Sequence, residues 1–253
     1  MIQFASRYAS TANIDDDSCG FTCQSDYITF MPMPVTSKPC FAELTSSDQV
    51  LMTNDFTTRL YVSPPSVDSD CEDTLEMTVF ERNNNVTGNT IKISHDGFSS
   101  IELSDKAEEV ATTTKAGEMP MYRFGSIHIG PDNPTSASHF AHFVPTVQEW
   151  VTGKTQFYTL AKDCWLEFYT DIDGSDHDLI KIDNKNLSKY QFEQNTMNYF
   201  GKTFGHFMMS IKGYGLHTFE NSGRYVLYIV CENVNGPNNA FGYLTGFNQR
   251  QSS

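Results

Sequence analysis

Residues 213–248 read GYGLHTFENSGRYVLYIVCENVNGPNNAFGYLTGFN and contain the densest β-forming run of the chain. Residues 224–231 place apolar side chains on both faces of an extended strand: Tyr225, Leu227, Ile229 and Cys231 on one, Val226, Tyr228 and Val230 on the other. Such a strand belongs in the centre of a sheet that is covered on both sides. A short strand at 215–219, a turn at 220–223 and an aromatic strand at 240–247 complete a predicted antiparallel meander.

The composition describes a folded, β-rich protein. The 253 residues include 19% charged and 13% aromatic residues, and they can bury a substantial core. The formal net charge is −14, and an acidic surface repels phosphate groups, so we expect no nucleic-acid binding. No run of 18 apolar residues occurs, so we expect no membrane insertion.

Short alternating segments, with turn signals about every 8–12 residues, predict an all-β protein of antiparallel β-sandwich or jelly-roll-like type. We expect two packed sandwich halves with very little helix. The one helical candidate is residues 105–111, about two turns long.

Residues 131–138 (PDNPTSAS) form the clearest linker in the sequence. They predict a division into a first β-sandwich half at 19–130 and a second at 139–253. Residues 1–18 are polar, and we expect them to form a flexible leader.

Cysteine number and glycosylation signals predict a secreted protein. The six cysteines are even in number, and sequons begin at Asn85 and Asn186. Residues 1–18 lack the apolar core of a signal peptide, so we expect the sequence to begin after a removed signal. In an oxidising compartment we expect disulfides rather than a zinc site.

Six cysteines allow 15 complete pairings. We favour Cys164 with Cys231, because both lie on apolar strands of the second half, and Cys40 with Cys71 in the first half. This choice leaves Cys19 and Cys23 as a local pair. Each long bridge would contribute about 2–4 kcal/mol to stability.

The acidic stretch 171–178 (DIDGSDHD) is a candidate calcium loop. Ca²⁺ requires several oxygen ligands from a tight turn, here from Asp171, Asp173, Asp176 and Asp178. The spacing differs from that of an EF-hand, and a solvated acidic hairpin around Asp-Gly is the alternative.

Catalytic motifs are missing from the sequence. G-x-S-x-G, H-E-x-x-H, a P-loop and G-x-G-x-x-G do not occur. His139 and His142 lack a third metal ligand at catalytic spacing, and His217 has no partner at a defined spacing. We therefore expect these histidines to be structural and the protein not to be an enzyme.

The C-terminal stretch resembles the IgGFc-binding protein N-terminal domain family. The resemblance is carried by Gly215, Leu216, His217, the long apolar strand, Phe241, Gly242, Tyr243, Gly246 and Phe247. Residues 57–65 look like nematode secreted members of this family. Membership would imply an extracellular β-sandwich module, often beside cysteine-rich modules in mucin-like or matrix-like proteins. It would not imply catalysis, and no Fc-contact motif is identifiable.

The sequence therefore predicts an extracellular, non-catalytic binding or adhesion module of a mucin- or matrix-associated type, whose partner is an extracellular protein or glycan. One alternative is a carbohydrate-binding or viral jelly-roll surface or capsid-type protein. A second alternative is a metal-dependent hydrolase.

Overall fold

The computed structural model describes residues 4–6, 26–28, 30, 32–103, 109–128, 136–236 and 239–248. The described residues are about 55% strand and 4% helix, and they include no helix of seven or more residues. Several antiparallel sheets pack together, which confirms the predicted all-β fold. None of the helices in these ranges is long and apolar enough to cross a membrane.

The described residues form 18 strands and three short 3-10 helices. In chain order the strands are β1 (Phe4–Ser6), β2 (Asp26–Ile28), β3 (Asp48–Thr53), β4 (Thr57–Val62), β5 (Glu76–Glu81), β6 (Asn89–Lys92), β7 (Ser99–Glu102), β8 (Glu109–Thr114), β9 (Met121–His128), β10 (Ser136–Val144), β11 (Val151–Thr159), β12 (Asp163–Thr170), β13 (Lys181–Ile182), β14 (Lys185–Asn186), β15 (Glu193–Tyr199), β16 (Lys202–Lys212), β17 (Gly215–Glu232) and β18 (Ala240–Leu244). The 3-10 helices are Arg82–Asn84, Val147–Glu149 and Leu187–Lys189.

Strand β17 is the centre of an eight-stranded sheet. The main strand order is β14-β13-β17-β12-β16-β15, and β11 and β18 also pair with β17. Strand β11 covers the N-terminal half of β17, and β12 and β18 pair with its C-terminal half. Residues 225–231 are buried on both faces of the sheet, as their apolar pattern predicts.

The predicted turn at residues 220–223 is wrong, because β17 runs without interruption from Gly215 to Glu232. A register shift against β11 falls at this point, where β17 contributes extra residues. Loop 171–174 satisfies the polar groups there: Asp171 Oδ1 accepts hydrogen bonds from the backbone N–H groups of Gly174 and Arg224. The polar sequence therefore forms a bulge under a loop instead of a reversal of the chain.

Two four-stranded sheets and one two-stranded pair complete the fold, with strand orders β10-β9-β4-β7, β3-β8-β5-β6 and β1-β2. Phe4–Ser6, within the predicted leader 1–18, thus forms a strand. The helical prediction for 105–111 is wrong at its C-terminal end, because Glu109, Val110 and Ala111 lie in β8, and residues 104–108 lie outside the described residues. Burial of Val110 and Ala111 between β3 and β5 outweighs a weak local helix propensity.

Strand pairing and packing cross the predicted division at residues 131–138. Strand β10 pairs with β9, so Ser136–Val144 completes a sheet built from the first half. One core cluster joins Leu60 and Met77 to Phe204 and Tyr228. The two halves therefore share a core in the described structure.

The second core lies on the other face of the eight-stranded sheet. It contains Leu166, Phe168, Phe207 and Leu227. Residues 180–192 cover this face with apolar side chains from Ile180, Ile182, Leu187, Tyr190 and Phe192. The central strand is thus enclosed by the smaller sheets on one side and by the segment 180–192 on the other.

Two glycines allow β18 and β9 to approach the ring of Phe140 on β10. A Cβ added to Gly242 or to Gly125 would collide with this ring. Gly242 belongs to the Phe-Gly-Tyr pattern of the C-terminal stretch, and close packing explains its presence. Val230 and Phe56 complete this small cluster.

Candidate functional site

Two disulfides fasten the described structure, and both match the favoured pairing. Cys164 on β12 and Cys231 on β17 face each other in register, with Cα atoms 4.1 Å apart. Cys40 and Cys71 join two loops of the first half. Cys19 and Cys23 lie outside the described residues. The two bridges are compatible with an extracellular protein.

The two sequons differ in accessibility. Asn186 is exposed at the end of β14, directly before a 3-10 helix. Asn85 is half-buried, and its Nδ2 donates to the carbonyl oxygen of Asn198 at 3.3 Å. Of the two sequon asparagines, Asn186 is the more accessible.

The structure does not gather the four carboxylates of the predicted calcium loop. Within the described ranges, the group of three or more potential metal ligands with ligand atoms within 4.8 Å is Asp55, Glu167 and His206, not any set from 171–178. Asp171 binds backbone N–H groups, and Asp176 Oδ1 accepts from the N–H of Asp178. This arrangement resembles the acidic hairpin that was the alternative.

His217 has partners that the sequence did not indicate. Its Nδ1 lies 2.8 Å from Asp183 Oδ2, and its Nε2 lies 3.2 Å from Thr159 Oγ1. The order carboxylate, imidazole, hydroxyl is that of a hydrolytic triad. However, Thr159 is fully buried and its hydroxyl donates to the carbonyl of Gly213 at 2.6 Å. The hydroxyl is therefore not positioned to attack a substrate. Instead, the contacts Asp183–His217–Thr159, here called the His217 relay, anchor the β13–β14 turn to β17.

A buried charged cluster joins three sheets. It consists of Thr53 at the end of β3, Asp55 in the following turn, Arg123 on β9, Glu167 and Tyr169 on β12, and His206 on β16. These residues are far apart in sequence, which explains why sequence reasoning missed the cluster. The signal that could have found it is charge within apolar strands, as in DCWLEFYT (163–170) and MYRFGSIH (121–128).

An ion pair without solvent exposure forms the inner part of this cluster. Arg123 Nη2 lies 2.6 Å from Glu167 Oε2, and both side chains are 0% exposed. The guanidinium lies over the rings of Tyr228 and Phe140, 5.4 and 5.6 Å from their centroids. Burial by itself would raise the pKa of Glu167, but Arg123 and the hydrogen-bonding neighbours lower this pKa below its ordinary value. Glu167 is therefore a carboxylate in the folded protein.

The outer part of the cluster leads from Glu167 to the surface. Glu167 Oε1 accepts a hydrogen bond from the Tyr169 hydroxyl at 2.8 Å, and the Thr53 hydroxyl is 3.1 Å away. His206 Nε2 lies 3.5 Å from Glu167 Oε1 and 3.8 Å from Asp55 Oδ2. The Asp55 side chain is 33% exposed, so the cluster opens to solvent at this residue.

His142 is a packing residue. Its ring stacks on Tyr228 with centroids 5.0 Å apart, and its Nδ1 donates to the carbonyl of Phe143. Burial and the nearby Arg123 lower the pKa of His142 to about 3. His139 stacks on Phe124 instead, so the two histidine rings pack against different aromatic side chains.

An apolar surface lies at one end of the β11–β17 pair. We define the Tyr158–Leu216 patch by four exposed residues: Tyr158, Leu160, Tyr214 and Leu216. Tyr158 and Leu216 are direct partners across the two strands. The hydroxyl of Tyr243 bonds both the N–H and the carbonyl of Tyr158, which fixes the backbone beneath the patch.

Comparison with known proteins assigns no family to this chain. No protein-family model matches the chain, and no curated protein matches it. The function is therefore inferred from the disulfides, the exposed sequon at Asn186 and the Tyr158–Leu216 patch.

Proposed function

We propose that the chain is an extracellular, non-catalytic binding module, and that the Tyr158–Leu216 patch contacts its partner. The observation that carries the proposal is the exposure of this patch: Tyr214 is 69% and Leu216 is 62% exposed on an otherwise acidic protein. Exposed apolar residues that lie together mark interaction sites, and tyrosine is enriched among residues that dominate binding energy.

The backbone holds the patch in a defined shape. Beside Tyr214, the N–H of Gly213 donates to the carbonyl of Lys162 at 2.8 Å, and the carbonyl of Gly213 accepts from the Thr159 hydroxyl at 2.6 Å. Tyr158 is held by strand pairing and by the Tyr243 hydroxyl. Rings on a fixed backbone lose little conformational entropy when a partner binds, which favours affinity.

The extracellular part of the proposal is supported by the disulfides, the exposed sequon at Asn186 and the family resemblance of residues 213–248. The resemblance also supports a mucin- or matrix-associated adhesion role. The His217 relay gives no support to hydrolysis, because Thr159 is buried and donates to a backbone carbonyl.

Binding to a glycan array and to immobilised mucins and matrix proteins tests the proposal. The test compares the wild type with the double variant Tyr158→Thr/Tyr214→Ser. Loss of both rings should weaken binding at least about 10-fold, since each central aromatic contributes on the order of 1–2 kcal/mol. Binding to glycans alone would favour the carbohydrate-binding alternative.

Ile172→Ser is the matched control, because Ile172 is an exposed apolar residue in loop 171–178, outside the patch. It should leave binding unchanged. Equal binding by the double variant and the wild type, or no binding by the wild type to either panel, would contradict the proposal.

A further inference from the structure

We infer that Asp55, Glu167 and His206 form a binding site for one divalent transition-metal ion of the zinc class. The three ligands come from the β3–β4 turn, β12 and β16. A bound ion would therefore link the β3–β4 turn, which carries Asp55, to the eight-stranded sheet, which carries Glu167 and His206. This site is separate from loop 171–178 and from the Tyr158–Leu216 patch.

The distances between ligand atoms suit a shared ion better than direct hydrogen bonds. His206 Nε2 is 3.5 Å from Glu167 Oε1 and 3.8 Å from Asp55 Oδ2. An N–H···O hydrogen bond is about 2.7–3.2 Å long. Zinc binds nitrogen and oxygen at about 2.0–2.2 Å with tetrahedral geometry, which separates ligand atoms by about 3.3–3.6 Å. The distance from His206 Nε2 to Glu167 Oε1 lies in this range, and the distance from Nε2 to Asp55 Oδ2 is slightly longer.

The surroundings orient the buried ligands. Arg123 binds Glu167 Oε2, and the Tyr169 hydroxyl donates to Oε1. These contacts fix the carboxylate, as outer-shell groups do at metal sites. His206 is 1% exposed, and its Nε2 lies 3.5 Å from Thr53 Oγ1, 3.5 Å from Glu167 Oε1 and 3.8 Å from Asp55 Oδ2. A buried imidazole nitrogen thus points into the space between two carboxylates.

The ligand types and charges select the class of ion. Imidazole and carboxylates suit zinc and its neighbours in the transition series, whereas Ca²⁺ and Mg²⁺ prefer oxygen ligands. Arg123 neutralises one of the two carboxylate charges, so a divalent ion meets a net charge of about −1 when His206 is neutral. Asp55, whose side chain is 33% exposed, provides access from solvent.

Calorimetric titration of untagged, chelator-treated protein with Zn²⁺ tests the site, and Co²⁺ provides visible absorption bands that report the ligand set. We expect one ion per chain, an intense cobalt spectrum of tetrahedral type, and a rise in Tm of about 5–10 °C at zinc concentrations near 100 times Kd.

Asp55→Asn is the main variant, because Asp55 is partly exposed and asparagine can still accept a bond from Thr53. It should weaken Zn²⁺ binding about 100-fold or more and alter the cobalt spectrum. Two control variants test for binding elsewhere: His217→Gln removes the His217–Asp183 pair, and Asp173→Asn changes the acidic loop 171–178. Both variants should bind Zn²⁺ like the wild type. If protonated His206 alone bridges the carboxylates, the wild type will not bind Zn²⁺, which overturns the proposal. Unchanged binding by Asp55→Asn overturns it as well.

Discussion

Removal of Arg123 is the most informative perturbation of the buried cluster. Arg123→Met keeps much of the side-chain volume under the Tyr228 and Phe140 rings but leaves Glu167 without its cation. Loss of one partner from a buried ion pair costs about 3–5 kcal/mol, because the other charge stays desolvated. In a chain of 253 residues this corresponds to a fall in Tm of about 6–20 °C.

The double variant Arg123→Met/Glu167→Gln should recover most of this loss. With both charges removed, no desolvated charge remains, and glutamine still accepts the Tyr169 hydrogen bond. Urea unfolding followed by the fluorescence of Trp150 and Trp165 gives the four free energies of a double-mutant cycle. We expect a coupling energy of at least about 2 kcal/mol.

The partly exposed pair Arg59–Glu102 on β4 and β7 is the internal control. Its closest atoms are 3.6 Å apart, and its side chains are 16% and 35% exposed. The cycle Arg59→Met/Glu102→Gln should give a coupling energy of about 0.2–1 kcal/mol. A coupling between Arg123 and Glu167 no larger than this value would refute the reasoning, since it would mean that the pair does not hold an ionised Glu167 in the core.

Three further predictions address the framework. Cys164→Ala/Cys231→Ala removes a bridge across a sequence separation of 67 residues and should lower the free energy of unfolding, measured by urea unfolding, by about 4 kcal/mol. A decrease below about 1 kcal/mol would contradict a stabilising role of the bridge. His142 stays neutral in the folded state but takes up a proton near pH 6.5 when unfolded, so stability should rise with pH from about 3 to 6.5. The stability advantage of the wild type over His142→Gln should therefore shrink by about 2 kcal/mol between pH 6.5 and 5, and parallel pH profiles would be inconsistent with the low pKa. Gly223→Ala places a Cβ against the backbone of the 171–174 loop and should lower the free energy of unfolding by about 1–3 kcal/mol. Gly246→Ala is the control, because it has open space around it and should not destabilise the protein. Equal melting temperatures of the two variants would show that the bulge is not closely packed.

The central strand and its bridge were predictable because their signals are local. Residues 225–231 alternate apolar side chains on both faces, and the two faces pack into two different cores. Cys164 and Cys231 both lie on strands of this apolar type, so a bridge between them required only that these strands be neighbours. Alternation with a period of two carries this information without any knowledge of the tertiary fold.

Two local predictions failed where distant contacts decide the backbone. The sequence Glu-Asn-Ser-Gly at 220–223 is typical of a turn, but loop 171–174 supplies the hydrogen bonds that keep it extended. Residues 109–111 have helical composition, but burial between two strands makes them part of β8. In both cases the deciding partner is distant in sequence.

The candidate sites were the least predictable part. Asp55, Glu167 and His206 are brought together by the packing of a turn against two strands, and no spacing rule connects positions so far apart. The acidic run 171–178 had a stronger sequence pattern, yet Asp171 serves the backbone of β17. The Tyr158–Leu216 patch requires the pairing of β11 with β17, which are separated by five other strands in the chain.

The proposed extracellular location is tested most directly by the state of the cysteines in the protein as cells make it. Thiols are alkylated at the moment of lysis or collection, and peptides are then mapped without reduction. We expect linked peptides for Cys164–Cys231 and Cys40–Cys71 and no alkylation at these four positions. Alkylated Cys164 and Cys231 would contradict both the bridge at the centre of the fold and the oxidising environment proposed for the protein.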